Sequence, residues 1–163
     1  MRSCVVYLAA LFLLATHQAS FAADGDTVIE VKTTSYAVRV RPSPIRGNTV
    51  WTYKIVLQGD RKISEDITSS GSRPMNANNI RELGSSERNV TYRVVDASTI
   101  QRIYNAPTHV STITIKVDGK SCSASASHDL KPGHKEYQTY SVSLGTQAFY
   151  SELRNIGTTC TIR

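Results

Sequence analysis

From Lys120 to Ser127 the chain alternates without a break. Cys122, Ala124 and Ala126 fall on one side, and Ser121, Ser123, Ser125 and Ser127 on the other. A period of two marks a strand, because successive side chains leave opposite faces of the pleat. The run before it alternates in the same way, with Ile113, Ile115 and Val117 set between Thr112, Thr114 and Lys116. Asp118-Gly119 lies between the two runs and reads as a two-residue hairpin turn. That loop predicts Val117 opposite Lys120, Ile115 opposite Cys122, Ile113 opposite Ala124 and Ser111 opposite Ala126. A slip of one residue would turn both apolar rows outward.

Further strands are predicted at Val28 to Lys32, Tyr36 to Arg41, Val50 to Gln58, Ile63 to Ile67, Val90 to Val95, Thr99 to Tyr104, Tyr137 to Leu144 and Thr158 to Arg163. In Val50 to Gln58 the heavy face is Trp51, Tyr53, Ile55 and Leu57, the side chains a half-buried pleated surface accepts. This strand is therefore expected to be central. Thr146 to Asn155 fits helix or strand spacing, and its neighbours favour strand or irregular structure. No run of ten or more residues carries a helical stripe. Short apolar runs broken by Gly, Pro, Asn and Asp predict an all-β fold, an antiparallel β-sandwich or partly open barrel of about eight strands.

Before these strands comes a different pattern. Arg2 is followed by the apolar run Val5 to Ala15 and then by Ser20-Phe21-Ala22, a small-x-small site. The run falls short of the ~20 residues a spanning helix needs, and no second apolar stretch follows, so 1–22 reads as an export signal cleaved near Ala22/Ala23. The expectation is one β domain over 23–163, secreted or periplasmic, with no transmembrane segment after cleavage.

Of the three cysteines, Cys4 belongs to the leader, leaving Cys122 and Cys160. Two cysteines in an oxidising compartment predict one disulfide. A redox or nucleophilic pair would favour C-x-x-C spacing, which is absent. Closing a loop of this size stabilises a fold by roughly 4 kcal/mol in the chain-entropy model. The bridge requires Thr158 to Arg163 to run beside the hairpin with Cys160 and Ile162 facing inward, so loss of the last residues should be poorly tolerated.

The formal charge of +6 points to an anionic partner such as an acidic polysaccharide, an envelope surface or a protein. Arg39, Arg41 and Arg46 form the densest basic group. Counting from Val38 and Val40 as inward residues places Arg39 and Arg41 on one outward face, with Pro42 and Pro44 ending the pairing. A solvated edge protected by charge explains the same residues. Nucleic acid is excluded as a partner by export and by the lack of stacking aromatics among spread-out basic residues.

Candidate metal ligands gather at His128, Asp129, His134 and Glu136 around the Lys131-Pro132-Gly133 turn, in a spacing that matches no closed metal site. Solvated turn residues account for them equally well, and no cofactor is implied. The chain has no G-x-S-x-G elbow, no H-E-x-x-H and no phosphate loop, so catalysis has no signature beyond an inventory of serines and histidines. Glu65 and Asp66 point to opposite strand faces, which suits solvation rather than paired acid and base work. Ser69 to Arg88, poor in large apolar residues, reads as a functional or mobile loop that an inhibitor or effector could present. Asn89-Val90-Thr91 fits a glycosylation acceptor, relevant only to a eukaryotic secretory route. The reading is an exported β protein acting by binding, interaction or envelope structure. A hydrolase or metal-assisted enzyme built on His128 and His134 is the alternative.

Overall fold

The computed structural model describes residues 25–58, 61–71, 89–141 and 146–163. The leader and residues 72–88 of the expected loop lie outside the described residues, whereas Ser69 to Gly71 extend the third strand. Nine strands are described: β1 (Asp26–Arg41), β2 (Ile45–Gln58), β3 (Arg61–Gly71), β4 (Val90–Asp96), β5 (Thr99–Asn105), β6 (His109–Asp118), β7 (Ser121–Leu130), β8 (Tyr137–Ser141) and β9 (Thr146–Ile162). They form two antiparallel sheets, ordered β3-β2-β1-β9-β8 and β4-β5-β6-β7. The all-β expectation holds.

Two pairs of expected segments fuse into longer strands. Val28 to Lys32 and Tyr36 to Arg41 are one strand, β1, and Thr146 to Asn155 joins Thr158 to Arg163 in β9. The threonines and serine between the first pair suggest an interruption in sequence. Their backbone groups nevertheless pair with β2 without a break, and the irregularity is absorbed as register shifts against β9.

The β6–β7 register differs from the expected one. Asp118 pairs with Ser121, so the turn is Gly119-Lys120, and Val117 lies opposite Cys122, Ile115 opposite Ala124, Ile113 opposite Ala126 and Ser111 opposite His128. Gly119 has a φ of +57°, which glycine reaches without steric cost, and this centres the turn one residue later than expected. The pairing moves by two residues, so every side chain keeps its predicted face.

Between the sheets, at the end reached by the Gly119-Lys120 turn, the core is aliphatic. Ile29, Val31, Ile55, Leu57, Ile100, Ile113, Ile115 and Val117 are buried, with Cys122, Ala124, Ala126, Cys160 and Ile162 packed against them. The Cys122–Cys160 disulfide joins β7 to β9 with 5.6 Å between Cα atoms across a separation of 38 residues, tying the two sheets together. Such a bridge fits an oxidising, extracytoplasmic setting. No helix among the described residues is long and apolar enough to cross a membrane.

Candidate functional site at the polar end

The opposite end, where the β1–β2, β5–β6 and β7–β8 turns gather, is filled differently. Ile29 and Val31 continue along the inward side of β1 as Thr33, Ser35 and Arg39, all buried. The change follows directly from the sequence, since the odd positions of β1 switch from aliphatic to hydroxyl and charged residues. Ser35 sits opposite His128 of the other sheet, with its Oγ 3.3 Å from Nε2, and Ser111 Oγ lies 2.7 Å from Nδ1 of the same ring. One imidazole thus spans from β1 to β6. Burial pushes the His128 pKa down, against the opposing pull of Asp129, which favours the neutral ring.

Beside this bridge lies an aromatic group. The His109 ring, at 1% exposure, meets Tyr137 edge-on at 5.3 Å and Tyr104 at 6.2 Å. Its Nδ1 has no hydrogen-bond partner among the described residues. Burial first, then repulsion from a proton on His128 and from the Lys131 ammonium, hold His109 down to about 4. The surrounding turns are knitted by Lys131 Nζ donating to the Ala106 carbonyl at 2.6 Å and by the Gln138 N–H donating to Thr108 Oγ1 at 2.7 Å.

Strand register adds a third group. Arg39 of β1 pairs with Tyr150 of β9, and Tyr150 pairs with Tyr137 of β8, so these three residues form one row on one face of the sheet. Arg39 is only 5% exposed. Its Nε donates to the Ser43 carbonyl at 2.8 Å and its Nη2 to Ser43 Oγ at 2.9 Å. No described carboxylate forms an ion pair with it.

The basic cluster of Arg39, Arg41 and Arg46, with Arg39 and Arg41 expected on one outward face, is therefore separated. Arg39 turns inward because alternation along β1 is set by buried Ile29 and Val31, which leaves Val38 and Val40 half-buried on the other side. Arg41 is exposed, bonded to Glu136 and stacked 4.0 Å from the Phe149 ring centroid. Arg46 is exposed and pairs with Val38, which places it on the face opposite Arg39.

The expected metal ligands do not converge either. His128 is engaged by two serines, Asp129 accepts from Ser127 Oγ at 2.8 Å, Glu136 binds Arg41, and His134 is exposed in the turn. Alternation along β7 sends His128 inward and Asp129 outward. Among the described residues no three His, Cys, Asp or Glu gather closely enough to hold a metal ion.

Sequence reasoning also missed a buried ion pair between the aliphatic core and the polar end. Glu65 of β3 bonds Arg102 of β5, with side-chain exposures of 6% and 7%. Tyr92 donates its hydroxyl to Glu65 at 2.7 Å, and Arg102 lies 4.8 Å from the Tyr53 ring centroid. Burial works against the Arg102 charge, yet the Glu65 carboxylate outweighs it and raises the guanidinium pKa. Burial also raises both phenols, helped at Tyr92 and Tyr53 by the nearby Glu65 charge. Glu65 and Asp66 do face opposite ways, but Glu65 is the inward one. The signal lay in the alternation of β3, where Glu65 shares a parity with Ile67. No protein-family model matches the chain, and searches of curated proteins and of solved structures return no match, so its site is defined by these residues alone.

Proposed function

We propose that this protein is an exported binding module that takes a small ligand at the polar end of its two-sheet body. The observation that carries this reading is the filling of that end. Buried hydroxyl, imidazole and guanidinium groups stand among tyrosines, and the His109 Nδ1 has no partner among the described residues. Buried polar groups are normally satisfied, and an orphan beside aromatic walls is the chemistry of a recognition site. Rigid strands on both sides and the sulfur bridge at the far end hold these groups in place without ligand. Export rests on the leader pattern, and the disulfide is consistent with it.

The test is a ligand screen on the 23–163 protein by NMR, with a panel of acidic, neutral and basic small molecules. Binders should shift resonances of Tyr104, His109, His128 and Tyr137. Shifts confined to the outer faces of the sheets would overturn the reading.

A second reading is hydrolysis. It is favoured by the Ser35–His128–Ser111 line, in which an uncharged imidazole approaches one hydroxyl and is oriented by another. Ser35 is 4% exposed, which argues for bridging rather than attack on a substrate. Turnover of activated esters that disappears in His128→Gln, together with phosphonate labelling of Ser35, would establish it. Neither is expected. Presentation of the segment over 69–88 to a partner protein stands as a third proposal, which limited proteolysis with and without that partner would test.

A further inference from the structure

Of all the buried groups, Arg39 stands apart. A guanidinium presents five N–H donors, and Ser43 takes two of them, through a neutral carbonyl and a neutral hydroxyl. Three donors and the positive charge have no answering group among the described residues, and because no Arg39 nitrogen is both fully buried and unpaired, the free side of the fork reaches the surface. Among the described residues the other buried arginine, Arg102, is answered by Glu65. Ser43, the residue that covers Arg39, is itself exposed in the β1–β2 turn. The guanidinium therefore lies at the edge of the surface, in line with Tyr150 and Tyr137, with His109 packed on Tyr137.

We infer that Arg39 is the anchor of an anion site and that the ligand of the polar end is a small monocarboxylate. The inference rests on the binding reading above and names its ligand class. A planar carboxylate matches the fork of a guanidinium, two parallel N–H···O bonds at a time. Its single negative charge matches that of the one guanidinium in the row with Tyr150 and Tyr137. A phosphate dianion would call for a second free cation, and the nearest candidate along the strand, Arg41, is already bonded to Glu136. The rest of the carboxylate's molecule would lie against the row of tyrosines, whose rings suit an aromatic or sugar-like body.

The experiment uses the 23–163 protein with benzoate, glucuronate and acetate as probes, against benzyl alcohol, glucose and inorganic phosphate as controls. Binding is read by calorimetry, and by the Arg39 Nε–H and His109 ring resonances. At least one of benzoate and glucuronate should bind and move both signals, while its neutral analogue should not. Arg39→Gln should weaken that carboxylate at least tenfold, and Arg39→Lys less. If Arg39→Gln does not fold, the shift of the Arg39 Nε–H in the unmutated protein on adding carboxylate decides the matter. Carboxylate affinity unchanged in Arg39→Gln, an unmoved Nε–H signal, or binding of phosphate alone would overturn the assignment. A neutral ligand that shifts Tyr137 and His109 would sink the carboxylate while leaving the binding module standing. Probes that leave every residue of the polar end unmoved would sink both.

Discussion

Arg102 and Arg39 are buried to the same degree, 6% and 5% exposed, yet the protein treats their charges in opposite ways. Around Arg102 the chain supplies a carboxylate, a phenol that bonds the carboxylate, and an aromatic face. Around Arg39 the described residues supply one neutral turn residue. The first cluster reaches across both sheets and completes itself. The second lies at the end where the turns gather, and it is complete only with a group from outside. Buried charge that the chain neutralises is structure. Buried charge that it leaves open, at an end lined with tyrosines, is the place to look for a ligand.

Removing one partner from each cluster breaks this comparison most directly. Glu65→Gln would leave Arg102 in the position Arg39 now occupies, and should cost about 3 to 5 kcal/mol in urea denaturation. If it costs less than 1 kcal/mol, the Arg102 cluster is not the self-sufficient element described here. The disulfide contributes at the aliphatic end. Cys122→Ser with Cys160→Ser should lose roughly 4 kcal/mol, checked by comparing melting curves of the oxidised protein and the double variant.

A third outcome concerns pH. His109 is held down to about 4, while an unfolded histidine takes its proton near 6.5, so between these values the unfolded chain binds more protons. Stability should be independent of this group above pH 6.5 and fall by about 3 kcal/mol as the pH drops to 4. His109→Gln should flatten that part of the profile. The smallest effect sharpens the contrast between the arginines. Arg39→Met should change stability by no more than about 1 kcal/mol, or raise it, because no partner is orphaned, whereas Arg102→Met should destabilise by exposing buried Glu65 to the same problem.

Much of the fold was legible as alternation. The hairpin of β6 and β7, the inward placing of Cys122, Cys160 and Ile162, and the heavy face of β2 all follow from period-two patterning over aliphatic and small residues. The hairpin register was off by two because pattern alone cannot say whether Asp118 or Gly119 opens the turn, and the backbone needs the glycine where φ is positive. Charged residues were the harder case. A charge ordinarily stays in water, so the pattern alone places Arg39 outward with Val38 and Val40 inward, and for Glu65 and Asp66 it says only that they face opposite ways. The parity inherited from Ile29 and Val31 prevailed, because a strand paired on both sides cannot reverse its faces partway along without a full change of register. The candidate metal ligands failed for the same reason in reverse. Nearness in sequence around a turn does not bring side chains together when adjacent residues leave opposite faces.

What the amino-acid sequence determined by itself was local and periodic: which segments extend, which face of each is apolar, and which two sulfurs are available to join. Those follow from steric preferences and from the cost of exposing apolar surface, and both act within a few residues. Which charge meets which was decided only when the sheets closed. Glu65 answers Arg102 from 37 positions away, His128 reaches Ser35 across 93, and Arg39 reaches no carboxylate among the described residues. Electrostatics depends on distances and burial that exist only in the folded protein, and the site emerges at that level.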